Sequence, residues 1–217
     1  MKLLAFTDTH GSLSALRRIE QKTKAQKPDL LVCAGDISIF EHGIVGIIRR
    51  LNRLNKKIII IHGNHEDDTT FRKLSKLFKN IIFIHKNHFI KNNTLFLGYG
   101  GGGFSMVDKE FEKIAIKFKK IIKSYRSEAS GELKNQGFLS DNKDKKTILV
   151  THAPPYKTKL DKLVGGHCGN KPIRHFIEKN KIDLLICGHL HENFGKEDKI
   201  KHTKVVNPGP FGKIVEI

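Results

Sequence analysis

The chain has 217 residues, enough for one domain with a sizeable core and too few for two. Its composition is that of a soluble globular protein. No apolar run is long enough to cross a bilayer, and the N-terminus turns polar at Thr7 and Asp8, too soon for a signal peptide. Forty Lys and Arg against 22 Asp and Glu give a formal charge of +18. That excess reads either as attraction to a polyanion such as RNA, DNA or an anionic membrane, or as a Lys-rich solvated surface. The lysines are scattered and few aromatics interleave with them, which favours the surface reading. In both cases an anionic substrate is concentrated near the protein. Three cysteines cannot all pair, Cys33 and Cys187 fall in buried strand patterns, and there is no Cys-x-x-Cys, so a reducing cytoplasm fits best.

In chain order, the apolar run Leu3–Thr7 is a first strand that leads into Asp8-Thr9-His10. Ser12 is placed to cap a helix that carries Leu13, Leu16 and Ile19 and ends before Pro28. Asp29–Ala34 is a second strand, entering Gly35-Asp36, and Gly43–Leu54 is a helix with Ile44, Ile47, Ile48 and Leu51 on one face. Ile58–Ile61 is a third strand, entering Gly63-Asn64-His65-Glu66. Asp67 or Asp68 can cap the helix Phe71–Phe78. This alternation predicts a parallel sheet with right-handed crossovers. The rhythm then changes. Ile81–Ile84, His88–Ile90 and Thr94–Leu97 are short strands that predict antiparallel pairing and the start of a second sheet. Asp108–Tyr125 is an amphipathic helix with a Lys face, read as packed rather than membrane-bound. The polar stretch 127–146 is expected to be a mobile loop. Thr147–Val150 enters Thr151-His152, the helix Pro172–Asn180 follows, and Ile182–Cys187 enters Gly188-His189-Leu190-His191. Val205–Val206 and Ile214–Ile217 are expected to close the second sheet.

Five of these apolar runs end at once in Asp, Asn or His. In open α/β sheets ligands gather beyond the carboxyl ends of the strands, so side-by-side strands would bring these polar ends to one rim. Residues i and i+2 of an extended segment project to the same side. Asp8 and His10 can therefore hold one ion together, and His189 and His191 have the same spacing. Singly, an Asp after a strand is often a helix cap and a His a satisfied loop residue; the ordered set carries the site. Gly98-Tyr99-Gly100-Gly101-Gly102-Gly103 matches Gly-x-Gly-x-x-Gly, but no acid follows about 20 residues on, which argues against a dinucleotide site.

The motifs Asp-x-His, Gly-Asp, Gly-Asn-His-Glu, a lone His and Gly-His-x-His, in this order from Asp8 to His191, resemble those of the calcineurin-like metallophosphoesterases. The Thr151-His152-Ala153-Pro154-Pro155 block and the Gly-rich segment with His167 look most like a small phosphodiesterase branch. The resemblance implies a four-layer α/β/β/α sandwich of two mixed sheets in one domain, 1–217. It makes Asp8, His10 and His191 ligands of one metal and Asn64, His152 and His189 ligands of another, with Asp36 bridging. It also implies a bridging hydroxide that attacks phosphorus in line, and makes His65 the group that either gives a proton to the leaving oxygen or steadies the charged transition state. Glu66 either orients His65 or begins the next helix. The N and O ligand set suits Mn²⁺, the default among relatives, and also Fe²⁺, Ni²⁺ or Zn²⁺. His167 is a candidate phosphate or leaving-group contact. His42, His62, His85, His88, His175 and His202 lie outside the motifs and read as ordinary surface or core histidines. Asn207-Pro208-Gly209 resembles a family turn with a structural role, and for the segment 98–103 the resemblance implies a Gly-rich loop near the metal rim. No acidic or aromatic clamp for a nucleobase is visible. The leading expectation is a metal-dependent phosphodiesterase acting on a small diester, with a cyclic nucleotide as one candidate. The alternatives are a nuclease, favoured by the charge, and a non-catalytic scaffold, disfavoured because every ligand position is filled. A protein phosphatase is least expected of so short a chain.

Overall fold

The computed structural model describes residues 1–127 and 145–217, so most of the predicted polar loop lies outside the described residues. The first half alternates as expected: β1 (Lys2–Phe6), α1 (Leu13–Gln26), β2 (Leu30–Cys33), α2 (Ile44–Asn52), β3 (Ile58–Ile60), α3 (Asp68–Leu77) and β4 (Ile81–Phe83). The hairpin β5 (Asn87–Lys91) and β6 (Thr94–Tyr99) follows, then α4 (Lys109–Ser127), β7 (Lys146–Thr151), the short pair β8 (Lys162–Leu163) and β9 (Gly166–His167), and α5 (Lys171–Lys179). β10 (Leu184–Ile186), β11 (Glu197–Ile200), β12 (Thr203–Val206) and β13 (Lys213–Glu216) complete the chain. Caps follow the local chemistry. The Ser12 hydroxyl accepts the Ala15 N–H, Asp67 accepts from Thr69, and Asn170 accepts from Ile173 ahead of a first-turn Pro172.

Two mixed sheets lie face to face. One has strand order β13-β1-β2-β3-β4 and the other β11-β12-β10-β7-β6-β5. The pleat explains why the strand sequences are apolar throughout rather than alternating. In β1, Leu4 and Phe6 pack with the α1, α2 and α3 side chains Leu16, Ile48 and Phe71, while Leu3 and Ala5 pack toward Phe96, Ile148 and Val150 of the other sheet. On the far face of the second sheet, Leu95, Leu149 and Leu185 meet Phe111 and Phe118 of α4 and Phe176 of α5. The order is therefore helices, sheet, sheet, helices. The apolar face predicted for 108–125 is the packed one: Phe111, Phe118, Ile122 and Tyr125 are buried.

Two placements differ from the sequence reading. β4 does not start the second sheet; it pairs parallel with β3, as the last strand of the βαβ series. Antiparallel pairing begins one strand later, at β5–β6, where Asn92 and Asn93 both have positive φ and close a tight hairpin. The C-terminal strand likewise joins the first sheet, antiparallel to β1. The edge of the second sheet beside β12 is already taken by β11, whose Glu197-Asp198-Lys199 run conceals it as a strand.

Candidate metal centre

All seven predicted ligands and His65 come together beyond the carboxyl ends of five strands, three from the first sheet and two from the second. Asp8 and His10 follow β1, Asp36 follows β2, Asn64 and His65 follow β3, His152 follows β7, and His189 and His191 follow β10. Ligand atoms of Asp8, His10 and His191 lie within 4.8 Å of one another, as do those of His10, Asp36 and His65 and those of Asp8, Asp36 and His152. His10 Nε2 is 3.1 Å from His191 Nε2, and the Asn64 Oδ1 is 3.0 Å from His152 Nε2 and 2.9 Å from His189 Nδ1. Asp36, Asp8 and His10 each belong to two of these three groups.

The backbone is bent to achieve this. Asp8, His10, Asp36 and His189 all have left-handed φ, between 45° and 71°. Such non-glycine residues are uncommon and cost free energy that the surrounding structure must supply. The motif glycines make room for close approach. A Cβ on Gly63 would lie 1.9 Å from Asp36 Oδ1, and one on Gly188 would lie 2.0 Å from Thr7 Oγ1. The Asn207-Pro208-Gly209 turn is structural, as expected: Asn207 donates to the Leu190 carbonyl and the Gly209 carbonyl accepts from Thr7.

The hydrogen bonds around the ring nitrogens fit metal ligation. His152 Nδ1 donates to the Ala34 carbonyl at 2.8 Å and His10 Nδ1 to the Ser38 carbonyl at 3.3 Å, which leaves each Nε2 aimed into the cluster. His189 Nε2 and His65 Nδ1 are buried without a hydrogen-bond partner among the described residues. The donor set is nitrogen and oxygen. Burial pushes the Cys33 and Cys187 thiols well up, so they stay protonated.

The charged side chains of the site act strongly on one another. Burial opposes ionisation of Asp36, but the His152 imidazole at 3.3 Å and the His65 N–H outweigh it and pull the carboxyl down to about 2. Burial likewise works against His152⁺, and the Asp36 carboxylate overcomes it, raising His152 to about 9. His189, buried and next to His152, is pushed down to about 4. Asp8, whose carboxylate accepts from Thr7 Oγ1 and the His189 N–H, raises His191.

Glu66 takes neither role expected of it. It precedes the α3 cap, and its carboxylate faces the loop after β2. One oxygen accepts from the N–H of Asp36 and Gly63, and the other from the N–H and hydroxyl of Ser38. Asp36 in return accepts the N–H of His65 at 3.0 Å. Two reciprocal side-chain bonds thus lock the β2 and β3 loops together.

His65 packs edge-on to His10, and its Nε2 lies 4.0 Å from Asp36 Oδ2. His167 is not in these ligand groups. It sits on the β8–β9 hairpin with Nδ1 2.8 Å from the fully buried Asp161 carboxylate, which also accepts from Lys157, Thr158 and Gly169. Asn193, two residues past His191, donates to the Leu160 and Lys162 carbonyls and ties that hairpin to the last ligand loop.

His62 and His85, expected to be ordinary histidines, and two phenylalanines that carried no expectation lie beside the site. The His62 and His85 rings are 4.5 Å apart, tilted at 57°, and line a cleft of about 560 Å³ that opens beside Asn64 and His65. The Gly-rich segment is its wall: Gly100 donates to His85 Nδ1 and Gly101 to the His62 carbonyl, and no helix opens on it. Phe40 and Phe104 are exposed rings that lie against His65 and His189. No sequence signal marks these two, because an isolated Phe in a loop has no periodicity to read.

Comparison with known proteins agrees with this geometry. Residues 1–193 match the calcineurin-like phosphoesterase family. An uncharacterised protein of Methanocaldococcus jannaschii, MJ1162, is 33% identical over 97% of this chain and 88% of its own length. Among solved structures, TT1561 of Thermus thermophilus superposes with a TM-score of 0.72 at 14% identity over 97% of this chain and 89% of that one. A dimetal phosphatase from Danio rerio superposes with a TM-score of 0.59 at 12% identity, over 95% and 86%. The chain belongs to the calcineurin-like phosphoesterases, and its ligand groups are those of a divalent dimetal site.

Proposed function

We propose that the protein is a metal-dependent phosphodiesterase acting on a small diester. Asp8, His10 and His191 would hold one divalent ion and Asn64, His152 and His189 the other, with the Asp36 carboxylate shared between them. Mn²⁺ is the leading candidate, and Fe²⁺, Ni²⁺ or Zn²⁺ also suit the donors. Two such ions offset phosphate charge and lower the pKa of a water into the neutral range. The chain supplies the rest. Asp36 and Asp8 leave the centre net positive, the reciprocal Glu66–Asp36 bonds fix ligand spacing, and His65 Nε2, the nitrogen facing Asp36, gives its proton to the leaving oxygen. His167, oriented by Asp161, is a candidate contact to phosphate or leaving group; His167→Ala with kcat and KM both unchanged would remove it from the site.

The observation that favours a diester is the charge of the cleft. Glu41, Glu66, Asp67, Asp68 and Glu110 line it, and Lys86, paired with Glu110, is the one cation among the described lining residues. A monoester dianion calls for arginine or lysine beyond the metals, whereas a diester carries one charge and a second organic group that needs room. The same carboxylates disfavour a polynucleotide running along the cleft. The test is turnover of bis-p-nitrophenyl phosphate against p-nitrophenyl phosphate by Mn²⁺-loaded protein, with Asp36→Ala and His65→Ala beside it. Diester preference lost in both variants is expected. Monoester preference would move the assignment to a phosphatase, and cleavage of RNA or DNA alone to a nuclease.

A further inference from the structure

We propose that Phe40 and Phe104 are the walls of the substrate site and recognise a planar aromatic group, of the nucleobase type, on the phosphoester. Phe40 is 77% exposed and Phe104 67% exposed, so both rings forgo burial in the core. Neither lies at a random place on the surface. Phe40 is 4.7 Å from the His65 ring, and Phe104 is 4.7 Å from the His189 ring. The two rings therefore stand beside two different histidines of the site, Phe40 in the cleft wall and Phe104 against the last ligand loop.

The chain holds Phe40 there at a cost. Phe40 has φ +45° and Glu41 φ +62°, a left-handed pair in two non-glycine residues. The Glu41 carboxylate accepts the Asp67 N–H at 2.8 Å, which anchors the strained turn to the start of α3. Phe104 is carried out by the Gly100–Gly103 segment, itself fixed by hydrogen bonds to His62 and His85. Phe40 also lines the cleft beside His65. A ring held in place and left uncovered is suited to stacking, which depends on the π-face of the ligand and tolerates different bases.

This inference rests on the phosphoesterase reading, and the test separates the two. Binding of AMP and of ribose 5-phosphate to Mn²⁺-loaded protein is measured by calorimetry for wild type, Phe40→Ala and Phe104→Ala. The two ligands share the phosphate and differ in the base. AMP should bind at least about 5-fold more tightly than ribose 5-phosphate, and each variant should lose about 5-fold or more for AMP with ribose 5-phosphate unaffected. Both rings are exposed, so the variants should fold, and unaltered Mn²⁺ affinity checks this. Equal affinity for the two ligands in wild type, or equal losses for both in the variants, would overturn the assignment. Discrimination by a wild type that turns over no phosphoester would retain the walls and reject the catalytic reading.

Discussion

Asp36 and Glu66 sit back to back between two loops, and their side chains do different work. Asp36 Oδ2 faces His152 at 3.3 Å, and its loss removes a carboxylate that belongs to two of the three ligand groups. Asp36→Ala should lower diester turnover by about 100-fold or more and weaken binding of both ions, as read by calorimetric titration of metal-stripped protein. Glu66 is 8% exposed, and its carboxylate accepts from the N–H groups of Asp36, Gly63 and Ser38 and from the Ser38 hydroxyl. Glu66→Gln keeps the shape but turns an amide toward N–H donors. It should weaken metal binding by roughly 10-fold and lower stability by about 1–3 kcal/mol. Wild-type metal affinity in that variant would show that the loops hold their spacing without it. At this scale the sequence was informative wherever a motif repeated: the polar side chains that gather after each strand were legible. The role of Glu66 was not, because it depends on a partner about 30 residues away. The exposed rings were not legible either, because a lone aromatic residue carries no pattern.

Strands and loops were legible to the extent that their patterns were periodic. β3 and the helices α1 to α5 were readable from apolar spacing and caps, while β11 was hidden by its charges and β13 could not be assigned to a sheet from composition alone. The stretch that mixes both problems is Ile81 to Gly103, where one strand completes the first sheet and the next begins the second. His85 marks the crossing. Burial, with help from His62 and Lys86, holds it down to about 3, against about 6.5 for a free imidazole. The fold therefore favours neutral His85. Its contribution is fully present above about pH 6.5 and is lost as pH falls toward 3, by up to about 1.4 kcal/mol per pH unit. Urea unfolding of metal-free protein between about pH 7 and 4 should fall less steeply in His85→Gln than in wild type. Identical slopes would mean that the imidazole titrates normally in the fold.

Taken whole, the molecule sets a charge of +18 against a cleft lined with carboxylates. The long-range field should draw an anionic diester toward the protein, while the cleft governs what fits once it arrives. Screening reaches about 8 Å at physiological salt, so kcat/KM for a monoanionic diester should drop several-fold between about 0.01 and 0.15 M ionic strength, with kcat nearly constant. A salt-independent kcat/KM would leave the basic surface as plain solvation. The central claim is narrower: two sheets bring five loops to one rim to form a dimetal centre that hydrolyses phosphodiesters. The most direct measurement is bis-p-nitrophenyl phosphate turnover by metal-stripped protein during stepwise addition of Mn²⁺, followed alongside metal content per chain. Activity absent without metal and rising to a plateau at two ions per chain is the predicted result. Full turnover in the stripped protein, or two bound ions with no diester cleavage, would contradict it.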